Sequence, residues 1–393
     1  MTDPRGATDA ERVRALVVGA LLALVTSSCA PAPAAATAVQ QSAPPSPVAA
    51  PPRASFPPRA ARLTRPAMAR GDPPVLLRAV VEAGTFGSPS GGWRYDGARG
   101  TLEQVATADE PLEHPAPAGT LAAIEHVTPT PGGYLMSTEL AIRDRTGGPE
   151  RVIYRAPQRP NSCCAMFYWS GWSPDGRFVA LWAIDSYSGS VDQDGRPLLV
   201  IDAVSGDTVD LGRTLLHGTT AWTSPHTLAF VSGAFRMLWE AKALRLWSPE
   251  KGIRQVTHTG SVGFAPAWNA DGRTLYFAGG PEGQYEPLAV FAGRGAGDHR
   301  ISVYDVATGT ARSLAHEPGF IEEGARPSRD GTRLLVLRRR TVEAADIRSI
   351  PDAPFEMWLT DAEGAHGTAL LRITHAFGAY GWSPDPSEWE WSE

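Results

Sequence analysis

The sequence predicts an all-β chain built by radial repetition of a unit of about 50 residues. Three observations predict it. The first is the stretch 169–182, where Trp172-Ser173-Pro174-Asp175-Gly176 leads into Phe178-Val179-Ala180-Leu181-Trp182. Pro174 presets φ, Asp175 bonds nearby backbone, and Gly176 supplies the positive φ that closes a tight turn. The apolar run behind it has strand composition. The second is recurrence. Related turns start at Trp222, Trp268, Pro327 and Trp382, which gives spacings of 50, 46, 59 and 55 residues. The third is a hairpin pattern between the copies, an alternating strand, an Asp, a Gly-containing turn and a second strand.

The copies are unequal. The turn is complete at 172–176. It is partial at Trp268-Asn269-Ala270-Asp271-Gly272, at Pro327-Ser328-Arg329-Asp330-Gly331 and at Trp382-Ser383-Pro384-Asp385. It is worn at Trp222-Thr223-Ser224-Pro225. An aromatic-Ser-Pro-Asp-Gly turn followed by a strand resembles the repeat of TolB-like β-propellers. The resemblance implies a propeller fold and no activity, because the turn is a scaffold part. TolB has an α/β domain before its propeller. An Ala/Pro-rich segment takes that place here, so the resemblance does not bring TolB's partners with it. The Trp that opens each turn is expected to fill the gap between neighbouring blades rather than to stack on a ligand.

In chain order, residues 1–28 read as a signal peptide. Arg5, Arg12 and Arg14 precede an apolar run of 11, Ala15 to Val25, too short to span a bilayer. Thr26-Ser27-Ser28-Cys29 resembles a bacterial lipoprotein cleavage site, which implies lipidation of Cys29. Thr26 departs from the aliphatic residue usual there, and an ordinary secreted protein is the alternative. Residues 29–75 are dominated by Ala and Pro and are expected to be a disordered tether. Arg53, Arg59, Arg62, Arg65 and Arg70 against Asp72 give it a charge of +4. That charge suits anionic lipid headgroups and equally a solvated linker. The whole chain carries −6, residues 1–28 sum to zero, and residues 76–393 therefore carry −10. A nucleic-acid footprint is excluded.

Residues 76–393 hold six candidate outer hairpins: Trp93–Val105, Leu140–Tyr154, Leu198–Leu211, Leu244–Val256, Ile301–Leu314 and Met357–Ile373. Five turns plus a degenerate inner pair around 120–139 make six inner halves. The first hairpin has no turn before it and the last turn has no hairpin after it. The expectation is a six-bladed β-propeller whose N- and C-terminal segments share the closing blade. Val75–Ala83 is a further strand of uncertain place in that blade.

The long connections 185–196, 279–300 and 338–355 all leave the side opposite the repeated turns, which marks a loop-rich face. That face is expected to bind through Tyr187, His217, Arg236, His258, Tyr285, Glu286, His316, Glu322 and His375. Convergence of His258, His316 and His375 would make a metal centre, but these histidines are singletons without ligand spacing, so no metal is expected. Asp192-Gln193-Asp194-Gly195 lacks the remaining ligands of a calcium loop and reads as a polar turn. Cys163 and Cys164 either close a strained disulfide or stay reduced and buried. No Gly-x-Ser-x-Gly elbow, phosphate loop or dinucleotide fingerprint is present, and no cofactor is expected. The resulting expectation is a monomeric, non-catalytic lipoprotein of the cell envelope, periplasmic or surface-exposed. It would bind an envelope protein or polymer and reach the membrane through its lipid anchor. A sugar-processing or metal-dependent enzyme at the channel mouth is the alternative.

Overall fold

The computed structural model describes residues 76–81, 91–96, 101–105, 112–129, 135–157, 165–184, 195–215, 218–234, 241–282, 299–340 and 355–373. The chain divides into two units, Met1–Pro57 and Pro58–Glu393, and every described residue belongs to the second. Among the described residues there are 23 strands and no helix. The expected signal peptide, the tether to residue 75, Cys29, Cys163, Cys164 and the closing C-terminal segment lie outside them.

The strands form six antiparallel meanders. The first has three strands, β1 (Leu76–Val81), β2 (Gly91–Asp96) and β3 (Thr101–Val105). The other five have four strands each. They are β4 (Glu113–Pro115) to β7 (Arg151–Arg155), with β5 (Leu121–Pro129) and β6 (Leu135–Asp144) between. Next come β8 (Met166–Trp172), β9 (Phe178–Ile184), β10 (Arg196–Asp202) and β11 (Thr208–Thr214). Then follow β12 (Thr220–Thr223), β13 (Thr227–Ser232), β14 (Ala243–Ser248) and β15 (Gly252–Gln255). After these come β16 (Ser261–Trp268), β17 (Thr274–Pro281), β18 (Arg300–Asp305) and β19 (Thr310–Ser313). The last four are β20 (Phe320–Pro327), β21 (Arg333–Arg340), β22 (Phe355–Asp361) and β23 (Thr368–Ile373).

The six expected outer hairpins correspond to the last two strands of the six sheets. The inner pair expected around 120–139 differs: it is β4–β5, at 113–129, and β6 already begins at Leu135. Its turn, Ala116-Pro117-Ala118-Gly119, has no Asp or Ser to mark it, and β4 is only three residues long. The stretch Val75–Ala83 contributes β1, which pairs with β2.

Burial explains why the second strands read as unbroken apolar runs. Each lies between two neighbouring sheets, and alternate residues serve opposite sides. Phe178, Ala180 and Trp182 of β9 pack with Leu228, Phe230 and Trp247 of the following sheet. Val179 and Leu181 pack with Ala123, Leu140 and Ile142 of the preceding one. In β17, Leu275 and Phe277 face Val231 and Leu246, while Tyr276 and Ala278 face Leu334 and Val336. The core is thus a series of seams between successive sheets. Outermost strands β11 and β19 are largely exposed. This is a β-propeller arrangement, with first strands inward and fourth strands at the rim.

Candidate functional site

The repeated turns fix the inner strands. In the complete copy, Ser173 Oγ donates to Asp175 Oδ1 at 2.6 Å and accepts the Phe178 amide at 2.9 Å. Ser328 does the same with Asp330 at 2.6 Å and the Arg333 amide at 3.0 Å. In the copy that has Asn269 instead of Ser, Asp271 still accepts the Arg273 amide at 2.8 Å. Gly176, Gly272 and Gly331 hold φ of +72°, +66° and +70°. Each glycine abuts the turn of the preceding sheet. A Cβ at Gly176 would stand 2.5 Å from the Ala118 carbonyl, one at Gly272 2.6 Å from Thr223 Oγ1, and one at Gly331 3.0 Å from the Asn269 amide. His226 in the worn copy closes the remaining step, with Nδ1 2.9 Å from Asp175 Oδ2. Five successive turns therefore touch in order on one face.

His226 lies between two carboxylates, with Nε2 2.7 Å from Glu250 Oε1. Burial works against its protonation, but the hydrogen bonds to Asp175 and Glu250 outweigh it and raise its pKa above the ordinary value. Asp175 is held below the usual carboxylate range. Burial opposes that shift, and the bonds from Ser173, His226 and the Arg177 amide overcome it.

The turn tryptophans pin sheet to sheet. Trp172 Nε1 donates to the His114 carbonyl of the preceding sheet, and Trp268 Nε1 to that of Ala221, both at 2.9 Å. The ends of β8, β12, β16 and β20 together line an open cavity of about 550 Å³. Trp169, Trp172, Trp182, Trp222, Trp268 and Arg326 line it, along with Ser170 and Thr220, whose hydroxyls are 3.0 Å apart. The first strands of four successive sheets share this one cavity. Trp169, Trp222 and Trp268 are only half-buried. Trp169 stacks on His114, centroids 4.3 Å apart and 7° from parallel. Trp182 donates to Thr214 Oγ1 at 2.7 Å. Trp222 Nε1 is buried and has no acceptor. Reading the tryptophans as gap fillers accounts for the two interblade bonds and for Trp222, which packs against Phe178, Trp182 and Trp247 in the seam with the preceding sheet. The signal available for the cavity is Trp169, a second Trp on the same first strand and outside the turn.

The residues expected on the opposite face fall into two groups. Tyr187, His217, Arg236, Tyr285, Glu286 and His375 lie outside the described residues. His258 is exposed, and its carbonyl accepts the Ser261 amide at 3.0 Å. His316 Nδ1 lies 3.8 Å from Glu322 Oε2. Glu322 sits inside the sheet, where it is engaged by Arg338 at 2.8 Å, both side chains being 1% exposed, and accepts the Ile301 amide at 2.9 Å. Beside it, Arg339 pairs with Glu323 at 3.0 Å and Arg340 with Glu356 at 2.8 Å. A ligand of Glu322 has to displace Arg338. Among the described residues no three His, Cys, Asp or Glu side chains converge as a metal set.

The class these observations define is a β-propeller of antiparallel sheets, whose Ser-x-Asp-Gly turns recur from sheet to sheet. No protein-family model and no curated protein matches the chain. Solved structures similar to it include a TolB-type protein of Agrobacterium tumefaciens, 17% identical over 79% of this chain and 87% of that one, TM-score 0.31. TolB from Acinetobacter baumannii is 13% identical over 75% and 68%, TM-score 0.36. An oligogalacturonate lyase in complex with manganese is 13% identical over 76% and 85%, TM-score 0.38.

Proposed function

We propose that this chain is a non-catalytic, lipid-anchored propeller of the bacterial envelope that binds a protein or polymer. The lining of the cavity shared by the four first strands carries this reading. Its described lining residues offer tryptophan side chains, two hydroxyls and a guanidinium. Hydroxyl, guanidinium and indole groups on one concave wall are suited to binding and orienting a partner.

In this reading residues 1–28 are removed, Cys29 is lipidated, and 29–75 tether a propeller at 76–393. The ring has six blades. The C-terminal segment, with its turn at 382–385, completes the blade that the N-terminal hairpin begins. Tyr187, His217, Arg236, His258, Tyr285, Glu286 and His375 form the contact rim on the loop-rich face. The protein is a monomer, periplasmic or surface-exposed.

The test is fractionation of cells making the full chain or its Cys29→Ser variant, followed by pull-down on immobilised envelope polymers. The full chain is expected to sediment with membranes, the variant to be released, and the bound polymer to be recovered intact. A soluble full chain, or polymer cleaved during binding, overturns the reading.

A further inference from the structure

We propose that the groove at the rim between the third sheet (β8–β11) and the fourth (β12–β15) binds an extended segment of a partner protein that carries a large apolar side chain and, two residues away, a carboxylate. The groove shares no lining residue with the cavity, so the inference goes beyond the reading above. Buried Phe178, Val200 and Trp247 line it, with Val209 on the side of the third sheet and Pro249 and Gly252 on that of the fourth. Its volume, about 210 Å³, falls below the roughly 300–1,000 Å³ of small-molecule sites and suits a single side chain. The strand register shows why this seam is open. In four sheets, the fourth-strand residue paired with the position two before the end of the third strand can be compared. Arg151 pairs with Ile142, Arg254 with Leu246 and Arg312 with Val303, whereas Val209 pairs with Val200. Each third-strand residue packs in the seam with the following sheet, and its partner shares that face. Arg151 reaches across its seam to the Ala203 carbonyl, and Arg312 reaches Glu363 at 2.8 Å. Both thereby tie a rim strand to the outer turn of the next sheet. A valine makes no such tie, and the equivalent place beside Val209 is the groove.

Apolar exposure gathers at the same place. Five large apolar side chains are exposed among the described residues. Val209 is one of them. Ile253 is another, and it is the cross-strand partner of Trp247. Val204 is a third, in the turn between Asp202 and Asp207 of the lining. Exposed apolar surface gathered at a concavity marks an interaction site. Charge supplies the second feature of the partner. Arg177 of the lining is already neutralised by Asp202 at 3.1 Å. Arg245 stands two residues before Trp247 on β14, hence on the same face and about 7 Å along it. It is half-buried, and its Nε has no acceptor. In an extended segment a carboxylate two residues from the apolar anchor spans the same distance and bonds the amino groups of this guanidinium. Asp207 lies at the turn end of the groove and repels a carboxylate there, so the acidic residue points toward Arg245.

The experiment is titration of the full chain with short blocked Ser/Thr peptides that carry Leu and Glu two residues apart, in either order. Peptides with Leu and Lys, peptides with Ala and Glu, and laurate serve as comparisons, and binding is followed by line broadening of the added compound. Saturable binding is expected for a Leu–Glu peptide alone. Val209→Arg gives this rim strand the residue that three others carry. It should weaken binding about tenfold or more and melt close to the unsubstituted chain. Arg245→Glu should exchange the preference, so that Leu–Lys binds better than Leu–Glu. Absence of binding by both Leu–Glu orders, equal binding of the Leu–Lys peptide or of laurate, or unchanged affinity in Val209→Arg overturns the assignment. If Val209→Arg does not fold, the Arg245→Glu variant decides, and an unexchanged preference overturns the assignment. If no peptide binds while the full chain still sediments with membranes and retains a polymer, this inference fails alone.

Discussion

The contact between successive turns can be measured by comparing two glycines. Gly176 and Gly119 have similar backbones, φ +72° and +80°, so alanine at either adopts the left-handed region at a cost of roughly 1 kcal/mol. Their surroundings differ. Nothing lies within 4 Å of a Cβ at Gly119, whereas a Cβ at Gly176 would stand 2.5 Å from the Ala118 carbonyl and 3.2 Å from Ala116 Cβ. Relief of that overlap means parting two sheets at their turns, with about 1–3 kcal/mol of overpacking strain. Gly119→Ala should therefore lose about 1 kcal/mol and Gly176→Ala about 2–4 kcal/mol. Urea denaturation of the full chain, followed by far-ultraviolet circular dichroism, gives both values. Equal losses would mean that the turns do not bear on one another, and the order of the sheets argued from them would fall.

Three further outcomes are expected. Because the His226 pKa is raised, its contribution is fully present below the ordinary histidine value and disappears as pH rises through the folded value. His226→Asn should flatten the fall in melting temperature as pH rises above the ordinary histidine value, and an unchanged slope contradicts the carboxylate clamp. Asp175→Ala removes the acceptor of Ser173, Arg177 and His226 and should cost about 1–3 kcal/mol in the same denaturation assay. Its carboxylate pKa is lowered, so its share of stability is present above the unfolded value and lost as pH falls through the folded one. An unchanged acid midpoint in Asp175→Ala contradicts this. Arg338→Leu leaves Glu322 buried without its ion-pair partner and should cost about 3–5 kcal/mol, most of it recovered by adding Glu322→Leu. A double variant as unstable as the single one would show that the pair, not its imbalance, supplies the stability.

The sheets were legible in the sequence because their signals are local. A Ser, an Asp and a Gly at fixed offsets make the turn wherever they occur, as Ser173–Asp175 and Ser328–Asp330 do with the same bonds. The aspartates ending third strands mark the outer turns in the same way: Asp202 accepts the Val204 and Ser205 amides, and Asp305 those of Ala307 and Thr308. Where such side chains are missing, as between β4 and β5, the sequence placed the pair too late. The cavity was not legible, because three of its four first strands are interrupted. The register shifts between Trp169 and Gly171, between Phe264 and Ala267, and between Glu322 and Gly324. A bulge breaks the period of two, so alternation no longer tells which side chain faces the axis. Glu322, which its place before the fifth turn had put on a rim, instead lies in the sheet opposite Arg338 and is paired with it.

The worn copy of the turn gives these points a common cause. Trp172 and Trp268 open turns that keep the Asp and the Gly, and their indole N–H groups are committed to the preceding sheet. The turn after Trp222 has neither residue. His226 replaces the missing contact by reaching Asp175 from the outside. Trp222 packs edge to face against Trp247, ring centroids 6.2 Å apart, in the seam with the preceding sheet, and it is the indole whose donor finds no acceptor. The copy that departs furthest from the repeat thus holds its tryptophan by apolar packing, where Trp172 and Trp268 are held by an indole hydrogen bond to the preceding sheet.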